Sequence, residues 1–378
     1  MCTPHCPTYS LYQVEAESPR GRISLIQALA RQQLQADDKT LDHLNHCLGC
    51  RACESVCPSK VPFMALMDKA RQLTAKQYSQ HPAISKLLNT LERPGGLGNQ
   101  QSTLNFVKKS GLHQLLQRLP GMPGLSRSAT ILNHSNIQLF NDLYPAQDAQ
   151  GSVILFTGCM GSTFNTEAID SSIRLLTYFG FNVHIPGNQH CCGGLHQHSG
   201  HINTAQELAE KNMSLFQSCD AETLIYIDSG CGSQLQQPPV HPSISHIGQF
   251  LLKLIPPASD YFAPSPQTVW LHESCSLKNT LQLGGLNQRL LNLIPDLSTQ
   301  NLPDHNSCCG AGGSHFIQYP EQADRLLDKK LTGLESSTPQ FIVSDNIGCS
   351  LHFKTGLSRR KIPVEVIHPL TMLARHLK

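Results

Sequence analysis

Gln189-His190-Cys191-Cys192-Gly193-Gly194 and Asn306-Ser307-Cys308-Cys309-Gly310-Ala311 are the two stretches that decide the fold. Each is a vicinal cysteine pair followed by glycine. Each pair is flanked by single cysteines: Cys159 and Cys231 around the first, Cys275 and Cys349 around the second. The matched cysteines lie 116, 117 and 118 residues apart. Eight cysteines that drift by so little over such a length mark a duplicated module with internal pseudo-symmetry.

Each module reads strand–helix–strand–helix–strand. In the first, the apolar run 153–156 ends just before Cys159. A helical pattern follows at 168–176, then a strand at 181–185 leading through Pro186-Gly187 to the cysteine pair. A second helix covers roughly 204–217, and a strand at 223–227 leads to Gly230-Cys231. The second module repeats this with strands at 269–271, more weakly near Asn301, and at 341–343. Strands alternating with helices predict a parallel sheet. The cysteines then fall past carboxyl ends of strands, where open α/β sheets place ligands.

Cys159, Cys191, Cys192 and Cys231 are therefore expected at one sheet rim, and Cys275, Cys308, Cys309 and Cys349 at the other. Cys219, late in a helical pattern and without a counterpart, is expected outside both groups. Adjacent thiolates suit two irons of one cluster better than one ion, and the glycine lets backbone approach a bulky inorganic core. Two buried cysteines that merely behave as small apolar residues are the plainer reading of one such stretch. Two matched stretches weigh against it.

Working outward, the run CLGCRACESVCP carries Cys47, Cys50, Cys53 and Cys57-Pro58. This is the C-x2-C-x2-C-x3-C-P spacing that holds [4Fe–4S] cubanes: three cysteines wrap one cluster and the fourth points to another. Tetrahedral zinc competes for paired CxxC units, but the complete register with its proline favours iron–sulfur. Cys2 and Cys6-Pro7 read as the third and fourth cysteines of a second such motif. Partner exchange assigns Cys6 to the cluster of Cys47, Cys50 and Cys53. Cys57 and Cys2 are left as a second, incomplete site. The expectation is that Met1 is an internal methionine taken for a start, with a further CxxC encoded upstream.

The chain has 378 residues, a net charge of +2, 15 cysteines and 19 histidines. That length allows two or three domains. The near-neutral charge excludes a nucleic-acid footprint. No apolar run reaches membrane-spanning length and no secretory signal opens the chain. So many cysteines in a chain read as cytoplasmic point to metal ligation, not disulfides. His196, His198 and His201 in HQHSGH look like a metal cluster, but a polar loop beside a cofactor is the preferred reading. No Gly-rich dinucleotide fingerprint is present. Leu112, Leu115, Leu116 and Leu119, with Lys108, Lys109 and Arg118 nearby, form an amphipathic face. Packing on the protein's own modules is preferred for it over docking to a partner or membrane.

The domain reading is 1–90, a helical ferredoxin-type module with a helix at 22–35; 91–150, a helical connector with turn clusters at Pro94-Gly95-Gly96 and Pro120-Gly121-Met122-Pro123-Gly124; 151–255, the first cysteine-rich module; and 266–378, the second. The fold class is α + α/β, a helical module followed by two repeated α/β modules.

Taken together, Cys6-Pro7-Thr8-Tyr9, Ser18-Pro19-Arg20-Gly21-Arg22-Ile23, the Cys47–Pro58 motif, both CCG stretches, Ser229-Gly230-Cys231-Gly232 and Asn346-Ile347-Gly348-Cys349 resemble the iron–sulfur subunits of bacterial glycolate oxidase. The resemblance covers essentially the whole chain. It implies [4Fe–4S] clusters, with additional clusters at the CCG modules, and modules like those of heterodisulfide reductase B subunits. It also implies FAD-binding 2-hydroxy-acid oxidase subunits as partners that carry the catalysis, and a quinone or membrane acceptor. The place in the cell would be the cytoplasm, or the inner face of the cytoplasmic membrane. No catalytic residue is assigned in this chain. The alternative is a reductase subunit of the heterodisulfide reductase or glycerol-3-phosphate dehydrogenase type. The weaker third reading is a paralogue that kept the fold and lost a cluster. One departure from heterodisulfide reductases is plain: Asp228 and Asn346 stand where the first cysteine of their closing CxxC would be.

Overall fold

The computed structural model describes residues 2–75, 77, 82–94, 96–97, 123–136, 138–238, 240–241, 243–256, 260–334 and 338–378. The amphipathic face around Leu112–Leu119 lies outside them, as do Gly95 and residues 120–122 of the turn clusters. Pro123 and Gly124, expected in a turn, open the helix Pro123–Leu132.

Two parallel sheets carry the repeat. The first has the order β1-β3-β2-β4-β5, from Leu143–Tyr144 (β1), Gly151–Phe156 (β2), Phe181–His184 (β3), Thr223–Tyr226 (β4) and Ile244–His246 (β5). The second runs β7-β6-β8-β9, from Thr268–His272 (β6), Ser298–Asn301 (β7), Phe341–Ser344 (β8) and Glu365–Ile367 (β9). Strip off β1, the antiparallel edge strand on β3, and the two orders coincide. Phe156 pairs with Tyr226 as His272 pairs with Ser344, so the register repeats too.

The central strands form because they are apolar throughout. Residues 153–156 and 341–343 are buried, as a strand covered on both faces must be. Helices Thr166–Tyr178 and Ile247–Leu254 of the first module share one core with Leu286–Leu291 and Pro369–Arg375 of the second, through Ile173, Leu251, Leu290 and Met372. The modules thus pack on each other through apolar helix faces.

Residues 2–75 are helical: Pro7–Tyr12, Pro19–Ala30, Asp38–Asn45, Ala52–Ser55 and Phe63–Thr74. The helix expected at 22–35 begins earlier and ends sooner. The Ser18 hydroxyl caps it by accepting from Gly21 N at 3.0 Å, and left-handed backbone at Gln32 (φ 57°) stops it. None of the described helices is long and apolar enough to cross a membrane.

Candidate iron–sulfur centres

The SPRGRI segment builds the floor of the N-terminal site. A Cβ on Gly21 would lie 1.9 Å from Glu15 O, so only glycine lets this helix start so close to the preceding turn. One residue on, Arg22 is 1% exposed. Its fork donates to Glu17 Oε2 and Glu17 O at 2.6 Å, His43 O at 2.7 Å and Thr8 Oγ1 at 3.0 Å, with Cys6 Sγ at 3.9 Å. His43 and His46 each donate Nδ1–H to Glu17 Oε1 at 2.8 Å. Burial opposes ionisation of Glu17, but the His46 hydrogen bond and the Arg22 charge outweigh it and hold the carboxyl below its usual value. Glu17, His43 and His46 bring three ligand-type atoms within 4.8 Å. Arg22 already neutralises that carboxylate, so this is an ion-pair network rather than a metal site.

Above the floor, Cys6, Cys47, Cys50 and Cys53 line one small cavity with Pro7, Arg22 and Phe63. The loop turns sharply at Arg51, whose backbone is left-handed (φ 55°). Burial, then the neighbouring Cys275 and Cys47 thiols, pushes the Cys50 thiol well up. Burial, Cys47 and Cys6 push Cys53 to about 12. Cys2 and Cys57 do not line that cavity.

The other eight cysteines converge further than their spacing implies. Cys159, Cys191, Cys192, Cys231, Cys275, Cys308, Cys309 and Cys349 all line one cavity of about 540 Å³ between the modules. Helices Pro82–Leu91 and Pro123–Leu132 cover it, through Ile84 and Leu87 on one and Ile131 and Leu132 on the other. Cys159 Sγ lies 3.2 Å from Cys191 Sγ, and Cys309 Sγ 3.1 Å from Cys349 Sγ. Cys219 is not among the lining residues; its thiol donates to Leu215 O at 3.5 Å. Of the HQHSGH histidines, His198 lines the cavity, and burial lowers its imidazole to about 4. The three form no ligand group among the described residues.

The glycines of the CCG stretches also meet a demand set by the protein itself. Gly193 (φ 87°) and Gly310 (φ 93°) are left-handed, and a Cβ on either would meet the carbonyl of Ala205 or Ala323 at 2.8 Å. They let the loop press onto the following helix. In the first module Asn212 on that helix donates to Cys191 O at 3.1 Å and accepts from His190 N at 2.9 Å. In the second, the matching position is the fully buried Lys330, which donates to Asp304 O.

The residues in place of the missing CxxC cysteines are helix caps. Asp228 Oδ1 accepts from Gly230 N at 2.8 Å and Cys231 N at 3.2 Å, and Oδ2 accepts from Ile347 N of the other module. Asn346 Oδ1 accepts from Cys349 N at 3.1 Å, while its Nδ2 donates to Ser229 Oγ at 3.3 Å and Ser276 Oγ at 3.2 Å. Asp228 faces three donors; Asn346 faces one donor and two hydroxyls. The two are therefore not interchangeable. Asp228→Asn sets an amide NH2 against a backbone N–H and should cost about 2 kcal/mol, read as a lower denaturant midpoint. An unchanged midpoint would contradict this account of the cap.

The donor set fits iron–sulfur clusters. Hydrogen bonds from neighbouring thiols and burial push Cys191, Cys192, Cys231 and Cys275 well above the usual thiol range; for Cys308 and Cys309 a bond from Cys275 or Cys308 acts downward, but the other neighbouring thiol and burial outweigh it. Thiolates so placed ionise only beside a cationic centre, and soft sulfur ligands select iron–sulfur, zinc or Cu(I). All fifteen cysteines are free of disulfides.

Sequence reasoning missed Arg22 as a buried clamp, although it quoted the segment. It also missed His272, which closes β6 with a ring nitrogen within 4.8 Å of the Cys309 and Cys349 thiols. The available signal was the repeat itself, in which His272 matches Phe156.

Residues 1–61 match the 4Fe-4S dicluster domain family, and residues 153–236 and 269–354 each match the cysteine-rich domain family. The probable glycolate oxidase iron-sulfur subunit of Bacillus subtilis (strain 168) is 29% identical, over 98% of this chain and 91% of its own length. The glycolate oxidase iron-sulfur subunit of Escherichia coli (strain K12) is 26% identical, over 93% and 87%. Lactate utilization protein A of Geobacillus kaustophilus (strain HTA426) is 25% identical, over 57% of this chain and 95% of its own. The cofactors are thus iron–sulfur clusters, the role is electron transfer in an oxidoreductase, and the nearly end-to-end similarity makes this chain a homologue of the glycolate oxidase iron–sulfur subunits.

Proposed function

We propose that the chain is the electron-conducting subunit of a glycolate- or D-lactate-type oxidase. FAD-binding partner subunits oxidise the 2-hydroxy acid, and a quinone-type acceptor at the membrane receives the electrons. Iron–sulfur clusters, when bound, supply one-electron redox chemistry. Cys6, Cys47, Cys50 and Cys53 hold one of them. Cys159, Cys191, Cys192 and Cys231 form a second ligand set, and Cys275, Cys308, Cys309 and Cys349 a third. Cys2 and Cys57 belong to a further site of which this chain carries two thiols.

The observation that carries this reading is the position of Cys50. It packs with Cys275 and Cys308 around Leu48 and Leu326, and Asn279 Nδ2 donates to Cys50 O at 2.8 Å. One ligand of the N-terminal set is therefore keyed into the second module's set. Met160, Leu195, Phe316 and Ile347 give the eight thiols an apolar surround, which limits water and raises the influence of each nearby dipole on the bound group. The caps at Asp228 and Asn346 fix Cys231 and Cys349 in direction.

The test mixes the anaerobically purified chain with purified FAD-type 2-hydroxy-acid oxidase subunits from the same organism. Glycolate or D-lactate should bleach the chain's iron–sulfur absorbance within the turnover time of the flavin subunits. No bleaching by either acid, with dithionite still effective, would overturn the reading.

A further inference from the structure

His272 is 3% exposed, and its Nε2 has no hydrogen-bond partner among the described residues. A buried ring nitrogen without a partner has given up its hydrogen bonds to water and gained none in return. The ring stands edge-on to Phe353, with centroids 4.9 Å apart, which fixes its plane. A ring nitrogen lies within 4.8 Å of both the Cys309 and Cys349 sulfurs.

The duplicated module supplies an internal control. The matching position in the first module is Phe156, packed edge-on against Phe216 with centroids 6.0 Å apart. Its strand partner Tyr226 becomes Ser344 in the second module, whose buried hydroxyl also has no partner among the described residues. Asn212 becomes Lys330. At three matched positions the first module thus carries Phe156, Tyr226 and Asn212, and the second His272, Ser344 and Lys330. An imidazole kept neutral has the lone pair that a metal ligand needs.

We propose that His272 supplies a nitrogen ligand to the iron–sulfur cluster of the second cysteine-rich module, beside Cys275, Cys308, Cys309 and Cys349, so that the two modules hold electronically different clusters. This rests on the reading that those cysteines bind a cluster. A neutral imidazole adds no charge to an iron–sulfur centre, whereas a thiolate at the same place adds a negative charge and lowers the potential.

The test is pulsed EPR on the full-length chain, purified anaerobically, dithionite-reduced, and grown with natural-abundance or 15N-histidine. A directly bound imidazole gives a strong nitrogen coupling that changes isotope with the label, and this needs no variant. The coupling should vanish in His272→Phe, which copies the first module. His272→Cys should keep full iron content, lack the coupling and reduce at a lower potential than wild type. A wild-type spectrum with no histidine-derived coupling, or one that survives His272→Phe, overturns the proposal. If Cys309→Ala removes no iron, the cluster reading itself has failed, and the iron count separates that outcome from failure of the histidine assignment. Zinc recovered with the second module would likewise overturn both.

Discussion

Replacing Cys50 by alanine should abolish electron delivery from the flavin subunits to the downstream acceptor, while leaving those subuits' reduction of an artificial dye intact. Two losses coincide at this residue. The N-terminal set falls from four thiols to three, and the packed junction with Cys275 and Cys308 opens. Cys57→Ala, which touches neither the small cavity nor that junction, should leave the N-terminal cluster's EPR signal in place. Acceptor reduction surviving Cys50→Ala at a substantial fraction of wild type would show that electrons bypass this junction.

Arg22→Ala should be the most damaging change among residues that are not ligands. The guanidinium pairs with Glu17 in a site where both side chains are nearly fully buried. Removing one member of such a pair costs about 3–5 kcal/mol, because the other charge stays buried. Arg22→Lys should recover little of it, since an ammonium cannot reproduce the fork onto Glu17, Thr8 and His43. The acid limb of stability should shift as well. The Glu17 carboxyl is held below its unfolded value of 4.5, so its contribution is present above that pH and is lost as pH falls through the folded value. Without Arg22 the depression shrinks and the loss begins at higher pH. Unfolding of the N-terminal module, followed by the Cys53-dependent EPR signal against pH, reads both effects. A midpoint and acid limb unchanged from wild type would contradict the clamp.

How much of this was legible in the sequence follows from what each residue has to do. The central strands β2, β4, β6 and β8 were legible because strands covered on both faces are apolar without a break. β7, Ser298–Asn301, is a polar edge strand and gave only a weak signal. β1, β5 and β9 are two or three residues long and gave none. The grouping of the cysteines within each module was legible because duplication preserved their spacing. Their convergence on a single cavity was not. It depends on two apolar helix faces meeting across the modules, and neither face names its partner. Arg22 was hidden because arginine is seldom fully buried. His272 was hidden because one histidine after a strand has no periodicity, and only comparison of the two halves exposes it. Asp228 and Asn346 were read as absent cysteines; their hydrogen bonds make them caps.

The most direct test of the central claim is iron and acid-labile sulfide per chain on anaerobically purified protein, wild type against Cys53→Ala and Cys309→Ala. Independent four-thiol sets predict that each variant loses about four irons and four sulfides and leaves the other centres' EPR signals unchanged. Iron and sulfide unaltered in either variant, or zinc in place of the missing iron, would contradict it.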